Sequence, residues 1–327
     1  MRPRLGFLGT GWIGRHRMQA IAEADVAEIV AFADPVEEMA LAAQQAAPHA
    51  HRVAGMEELL ALGLDGIVIA TPSAQHAAQS VQALRQGVAV FCQKPLGRDA
   101  AEVRGVVQAA QQADRLLGLD LSYRATDAMQ RIRALVQGGE LGRVQAVDLV
   151  FHNAYGPDKP WFKDKAQSGG GCVMDLGVHL VDLALWALDF PEVAEVSAQL
   201  FAKGAPLPRD AAEVEDFALA TLVLADRTVV RLACSWWLHA GRDAVISAAF
   251  HGTQGGAALH NVDGSFYDFS AERFRGTARE VLATPPDAWG GRMAVQWAWQ
   301  LAQQNRFDST ALRFIDTAAA LDRIYGR

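Results

Sequence analysis

Lys94, Asp175 and His179 are the side chains in this sequence whose types and settings point to acid–base chemistry. Lys94 lies in Cys92-Gln93-Lys94-Pro95, directly after the apolar run Val88-Ala89-Val90-Phe91. An ammonium at the mouth of a buried strand is costly unless it faces a ligand or a carboxylate; the plain alternative is a surface lysine in a turn. Asp175 and His179 close Gly169-Gly170-Gly171-Cys172-Val173-Met174-Asp175-Leu176-Gly177-Val178-His179. Four residues apart, they share one face of a helix, and Asp182 continues the stripe. In such a pair the carboxylate fixes the tautomer and the imidazole moves a proton. Asp175 could equally be a first-turn carboxylate favoured by the helix dipole, and His179 a satisfied core histidine. No Cys or His cluster completes a metal site, so no metal is expected.

A second constellation would hold a cofactor. Gly9-Thr10-Gly11-Trp12-Ile13-Gly14 follows the apolar run Leu5-Gly6-Phe7-Leu8 and opens a helical stretch, and Asp34 stands 34 − 14 = 20 positions past its last glycine. This is the fingerprint of a strand–turn–helix unit for a dinucleotide. Gly9 allows the tight turn, Gly11 admits the pyrophosphate, and Gly14 lets helix and strand pack closely. The helix start offers unpaired N–H groups to phosphate. Asp34 can accept both hydroxyls of the adenosine ribose and repels a 2′-phosphate, while Pro35, Val36 and Glu37 supply no arginine to receive one. NAD is therefore expected rather than NADP. Ligands of an open parallel sheet sit at the carboxyl ends of its strands, which singles out Thr71-Pro72-Ser73 and the loop of Lys94.

These residues need elements to carry them. The first 120 or so positions alternate strand and helix signals, the pattern of a doubly wound parallel α/β sheet. Helices are expected over 36–47, 56–62, 76–86 and 99–113, the last capped by Asp99, and strands at 66–70, 88–91 and 116–119. From Ala125 the period changes. A helix over 126–137 precedes runs of two-residue alternation at 143–153, 193–202, 213–225, 227–239 and 244–251, an antiparallel meander. Helical signals return at 292–304 and 310–325. The switch of period divides the chain into a nucleotide-binding domain over 1–121 and a second domain over 122–327.

Composition bounds the rest. The 327 residues are 51% hydrophobic and 20% charged, enough for two domains with a substantial core. A net charge of −7 argues against nucleic-acid or anionic-membrane partners. Met1-Arg2-Pro3-Arg4 leads straight into a strand without a signal-peptide core, and Leu176–Phe190 is interrupted by His179, Asp182 and Asp189. The three scattered cysteines, Cys92, Cys172 and Cys234, show no disulfide framework. A reduced, cytoplasmic enzyme is expected.

Taken in order, these motifs resemble the glucose–fructose oxidoreductase/inositol dehydrogenase (Gfo/Idh/MocA) family over nearly the whole chain. The resemblance rests on the glycine turn, on Ala70-Thr71-Pro72-Ser73 with His76 just after, and on Val90-Phe91-Cys92-Gln93-Lys94-Pro95 matching a Glu-Lys-Pro signature. It continues through Gly139-Glu140-Leu141-Gly142-Arg143-Val144, Trp161 ahead of Ser168-Gly169-Gly170-Gly171, Asp175-Leu176-Gly177-Val178-His179 and Gly252-Thr253-Gln254-Gly255. It implies a Rossmann domain followed by an α+β domain with an open, mainly antiparallel sheet, one face for substrate and the other often for oligomerisation, as a dimer or tetramer. It maps the catalytic lysine to Lys94, the aspartate to Asp175 and the histidine to His179. His76 and Gln93 join Gly9, Gly11, Trp12, Ile13, Gly14, Asp34, Thr71, Pro72, Ser73 and Lys94 as cofactor-binding candidates. Gln93 stands where the signature has glutamate, removing a charge beside Lys94 while keeping a hydrogen-bonding amide.

The expected reaction is NAD-dependent oxidation of a secondary alcohol, or reduction of the ketone, on a sugar, polyol or similar small molecule. His179 takes the hydroxyl proton and Lys94 stabilises the developing alkoxide, roles that could be exchanged. Arg124, Tyr155 and Trp161 are the substrate-contact candidates, with His152, Trp236 and Trp237 as further ones; Arg suits carboxylates and aromatic faces suit sugar rings. Two other readings stand beside this one: a ligand-sensing regulator that binds the dinucleotide without turnover, and an NAD-dependent glycoside hydrolase.

Overall fold

A computed structural model of the chain describes residues 2–208 and 211–327. The chain divides into two units, one made of residues up to Ser122 with Gly290–Ile315, the other of Tyr123–Trp289 with Asp316–Arg327. The first boundary falls one residue after the expected one. The larger difference is that most of the C-terminal helical region belongs to the first unit.

The first unit alternates β1 (Arg4–Leu8), α1 (Trp12–Ala24), β2 (Glu28–Ala33), α2 (Glu37–Ala46), β3 (His51–Arg52), α3 (Met56–Leu60), β4 (Gly66–Ile69), α4 (Ser73–Arg85), β5 (Ala89–Gln93), α5 (Ala100–Ala113) and β6 (Leu117–Asp120). All pairings are parallel, in the order β3-β2-β1-β4-β5-β6. The order reverses between β1 and β4, the switch point where such sheets bind ligands. Every position of β4 is buried, as expected for a strand covered on both faces. Asp99 caps α5 by accepting from the Glu102 N–H at 2.8 Å. Helix α4 starts at Ser73, three residues before the expected His76, because Pro72 sets an extended entry just ahead of the first turn.

The second unit contains α6 (Asp127–Gln137), β7 (Val144–Asn153), α7 (Lys165–Ser168), a π-helical turn at Val173–Gly177 and α8 (Val178–Ala187). Strands β8 (Val193–Ala202), β9 (Ala205–Pro206), β10 (Phe217–Leu224), β11 (Val229–Ser235), β12 (Ala244–Gly252), β13 (Gly256–Asn261), β14 (Phe269–Arg275) and β15 (Ala278–Ala283) follow. They form one nine-stranded sheet, β15-β14-β13-β12-β7-β11-β10-β8-β9. It is not the simple meander expected: β7 lies mid-sheet and pairs in parallel with β11. Along β10, Ala218, Ala220, Leu222 and Leu224 point inward while Leu219 stays 44% exposed. Helices α6 and α8 cover the inner face. The helical stretch Lys165–Ala187 is long and apolar enough to cross a membrane, but 89% of its most apolar window is buried in the protein.

The chain closes with α9 (Arg292–Gln303) and α10 (Arg313–Tyr325). Helix α9 packs beside α1 in the first unit, and its Trp297 lies 5.6 Å from Phe91. A Cβ on Gly66 of β4 would come within 2.7 Å of the Trp297 indole, and one on Gly118 of β6 within 2.6 Å. The strands carry glycine where the indole lies.

Candidate active site

The glycine turn has the shape its sequence predicts. Gly9 has φ +85°, and a Cβ there would come within 2.6 Å of the Ala70 carbonyl oxygen. A Cβ on Gly14 would collide with the Gly9 carbonyl, whereas one on Gly11 would meet nothing within 4 Å among the described residues. Packing therefore requires glycine at 9 and 14, while Gly11 leaves a space of the kind a pyrophosphate would fill. Helix α1 starts here without a side-chain cap or an acid in its first turn, a helix start whose dipole suits an anion. Trp12 is 55% exposed and stacks on His16, with centroids 5.7 Å apart, while Ile13 is half-buried beside it.

Asp34 is fixed just past the end of β2. Its Oδ2 accepts from the Thr10 N–H at 2.6 Å and its Oδ1 from the Val36 N–H at 2.9 Å. Arg52 of β3 is spoken for by Glu37, at 2.6 Å. The residues present suit a nicotinamide dinucleotide: an N–H-rich helix start, room over Gly11 and a pre-aimed carboxylate.

Thr71 and Pro72 are half-buried in the loop after β4, and Ser73 is buried at the start of α4. His76 corrects an expectation. Its ring is 1% exposed, with Nδ1 2.6 Å from the Pro95 carbonyl oxygen and Nε2 2.6 Å from that of Thr71. It clamps the β4 and β5 loops together and has no surface left for a cofactor. Burial lowers its pKa, and the two carbonyls only partly offset that.

Lys94 follows β5 and is half-buried. Its backbone N–H donates to Gln93 Oε1 at 2.8 Å, and Gln93 Nε2 donates to Asp120 Oδ2 at 3.1 Å. The same carboxylate oxygen accepts from Arg17 Nε at 2.6 Å, with side chains only 5% and 0% exposed. Sequence reasoning missed Arg17 and Asp120. Asp120 at the carboxyl end of a strand had the same positional signal as Lys94; Arg17 looked like any polar residue of a surface helix.

In the second unit the glycine run serves packing. A Cβ on Gly170 would strike the Tyr325 hydroxyl, and one on Gly171 the Glu215 carbonyl. Glu215, 1% exposed, accepts from the N–H groups of Gly171 at 3.0 Å and Val173 at 2.9 Å and from Tyr325 Oη at 2.8 Å. Tyr325 Oη in turn accepts from the Met174 N–H at 3.1 Å. Burial raises the Glu215 pKa against the pull of these donors. Together they pin the π-helical turn that bears Asp175, in which residues four apart are offset from ordinary α-helical stacking. Neither residue had a signal in the sequence.

Asp175 Oδ2 accepts from the Trp236 indole N–H at 3.1 Å. His179, 7% exposed in the first turn of α8, lies between aromatic rings: Tyr123 edge-on at 4.7 Å and Phe151 at 6.4 Å. Burial pushes the Tyr123 hydroxyl pKa well up, keeping that ring neutral beside the imidazole.

Four further residues singled out in the sequence are held by protein neighbours. Asp182 is engaged in a bidentate pair with Arg124, Nε–Oδ2 at 2.7 Å. The guanidinium fork of Arg124, which a substrate carboxylate would need, is thus taken by Asp182, and it lies 5.8 Å from the Trp186 ring. His152 is on the face of β7 opposite Phe151, against Ser235 Oγ at 2.8 Å and stacked on Phe217. Trp236 is a core residue at 3% exposure. Trp237 and Tyr155 remain exposed, at 43% and 50%, and Trp161 stacks on Phe162 at 3.8 Å.

Residues 4–121 match the model of an oxidoreductase family with an NAD-binding Rossmann fold, and residues 129–258 match the GFO/IDH/MocA C-terminal domain. The chain belongs to the Gfo/Idh/MocA oxidoreductase family. A protein of Amycolatopsis mediterranei named for the oxidoreductase subunit of a UDP-kanosamine synthase is 29% identical over 319 residues, 92% of this chain and 87% of that protein. The D-glucoside 3-dehydrogenase of Escherichia coli is 28% identical over 62% of this chain, which spans 60% of that enzyme's length. Levoglucosan dehydrogenase in complex with NADH superimposes with a TM-score of 0.83 at 19% identity, covering 99% of this chain and 96% of that one. This Gfo/Idh/MocA member thus shares the fold of that enzyme and the NAD(P)-binding domain of its family.

Proposed function

We propose that the chain is an NAD-dependent dehydrogenase that interconverts a secondary alcohol and its ketone on a sugar, polyol or similar small molecule. The observation that carries this is Asp34, its two oxygens held by Thr10 and Val36 beside the open space over Gly11. A carboxylate so placed favours a ribose with free hydroxyls over a 2′-phosphate. Relatives named for glucosides and inositol support a cyclic polyol as the substrate class.

The nicotinamide ring supplies the hydride acceptor when bound. The chain's residues supply the proton chemistry. His179, buried and packed against Tyr123 and Phe151, takes the hydroxyl proton. Lys94 donates to the reacting oxygen and stabilises alkoxide charge. Asp175, steadied by Trp236, orients the imidazole or accepts from a neighbouring hydroxyl. Tyr155 and Trp161 are the substrate contacts of this reading.

Two attributes complete it. The three cysteines are buried and free, and burial pushes the Cys92 thiol up to about 12, which suits a cytoplasmic enzyme with unreactive thiols. The outer sheet face, with Leu219 exposed, suits a homo-oligomer.

The test is reduction of added NAD, followed by absorbance, across a panel of cyclic polyols and glycosides. Net reduction that disappears in Lys94→Ala and His179→Ala supports the dehydrogenase. Tight NAD binding without reduction of any panel member marks a sensor, and sugar release without net reduction marks a hydrolase.

A further inference from the structure

We propose that Asp120, held by Arg17, positions Lys94 through Gln93, and that Gln93 and Asp120 together stand in for the glutamate of the Glu-Lys-Pro signature. The inference rests on the role assigned to Lys94 above. Gln93 and Asp120 are the last residues of β5 and β6 and face each other in register. Asp120 Oδ2 takes two donors, Arg17 Nε and Gln93 Nε2, and Gln93 Oε1 takes the Lys94 N–H. The orientation of the amide is dictated by its neighbours. A backbone N–H needs an acceptor and a carboxylate needs a donor, and a glutamine side chain supplies both at once. A glutamate at position 93 would instead set a half-buried carboxylate against the fully buried one of Asp120. Gln93 is thus the partner that Asp120 requires, and the carboxylate has moved one strand over.

The cost of this arrangement points to a use. Asp120 is fully buried, and its second oxygen, Oδ1, has no hydrogen-bond partner among the described residues. An unpaired buried acceptor is destabilising, and an apolar pair of similar volume often packs more favourably than a buried ion pair. Arg17 comes from α1, the helix that begins at the glycine turn. The chain Arg17–Asp120–Gln93 therefore ties the helix offered to the pyrophosphate to the backbone of Lys94, so both ends of a bound dinucleotide would meet one rigid frame.

The test exchanges the two groups. Both donors converge on Asp120 Oδ2, so in Q93E/D120N the amide introduced at position 120 turns to divide the two partners between its termini, its oxygen accepting from Arg17 and its NH2 donating to the carboxylate introduced at position 93, which in turn accepts from the Lys94 N–H. The same residues stay paired, with the charge moved back to β5. Two readouts are taken on Q93E, D120N and the double variant. The first is acetylation of Lys94 by acetic anhydride relative to the exposed Lys203, which needs neither cofactor nor substrate. The second is kcat and KM with NAD and a polyol the parent oxidises. The expected result is that Q93E changes the labelling ratio at least about threefold and lowers kcat about tenfold at similar KM, with both largely restored in the double variant. Additive losses, or Lys94 labelling in Q93E equal to that of the parent, overturn the proposal. If D120N does not fold, Q93E against Q93E/D120N decides alone. Because labelling requires no turnover, a chain that oxidises no alcohol would sink the dehydrogenase reading and still tell whether Asp120 positions Lys94.

Discussion

Trp236 donates its indole N–H to Asp175 across 3.1 Å from a ring that is almost wholly buried. A core aromatic thereby aims a carboxylate on a neighbouring helical turn. Trp236→Phe keeps most of the apolar bulk and removes the donor. Losing one such hydrogen bond at a reacting group should lower kcat about tenfold while leaving the KM for NAD in place. Steady-state kinetics check this, and an unchanged kcat would detach Asp175 from the chemistry.

Asp34 governs the choice of dinucleotide. Asp34→Ser removes the charge that opposes a 2′-phosphate while leaving a hydroxyl near the Thr10 and Val36 N–H groups. The preference for NAD over NADP, measured as a ratio of kcat/KM values, should fall at least about tenfold. A ratio that does not move would mean that cofactor choice is made elsewhere.

The first unit is legible in the sequence because parallel strands buried on both faces read as apolar runs and its turn carries a glycine code. Asp99, Asp34 and Lys94 can be placed because their signals are local. What escapes the sequence depends on distant partners. Arg17 and Asp120 are 103 residues apart, and no periodicity announces such a pair. Tyr325 reaches Glu215 from 110 residues away. The parallel pairing of β7 with β11 looks, strand by strand, like any antiparallel alternation. His76 reads as a ligand contact and is a clamp, since a motif tells where a histidine stands and not which way it faces.

Stability should depend on pH through His16. Its Nδ1 is 3.0 Å from Arg17 Nη1, and a guanidinium only donates, so the ring accepts there and is neutral. Burial first, then the Arg17 charge, holds its pKa below the ordinary value, while Asp120 and Glu23 pull partly back. The unfolded chain therefore binds the proton more readily. The contribution is present above the ordinary imidazole pKa of about 6.5 and is lost as pH falls through the lower folded value. The urea midpoint should drop between about pH 7.5 and about pH 5.5, and less steeply in His16→Gln. Equal slopes in parent and variant would refute this.

Trp297 should anchor α9. Its ring is 4% exposed against Phe91, Gly66 and Gly118. Trp297→Ala should cost about 3–5 kcal/mol, read from chemical denaturation. A loss under about 1 kcal/mol would mean that the groove collapses readily around the smaller side chain.

Self-association is tested on the outer sheet face. Leu219→Asp places a charge on an exposed apolar position of β10 without touching the inward residues. If copies of the chain meet there, the variant should shift to monomer in sedimentation. An unaltered oligomer would move the contact to another surface.

Because α9 completes the nucleotide-binding unit from beyond the nine-stranded sheet, a ribosome must translate through most of the second unit before the first can close over Gly66 and Gly118. During synthesis the first six strands wait with an open groove where the indole belongs. Maturation of the earlier unit is thus timed by production of the later one.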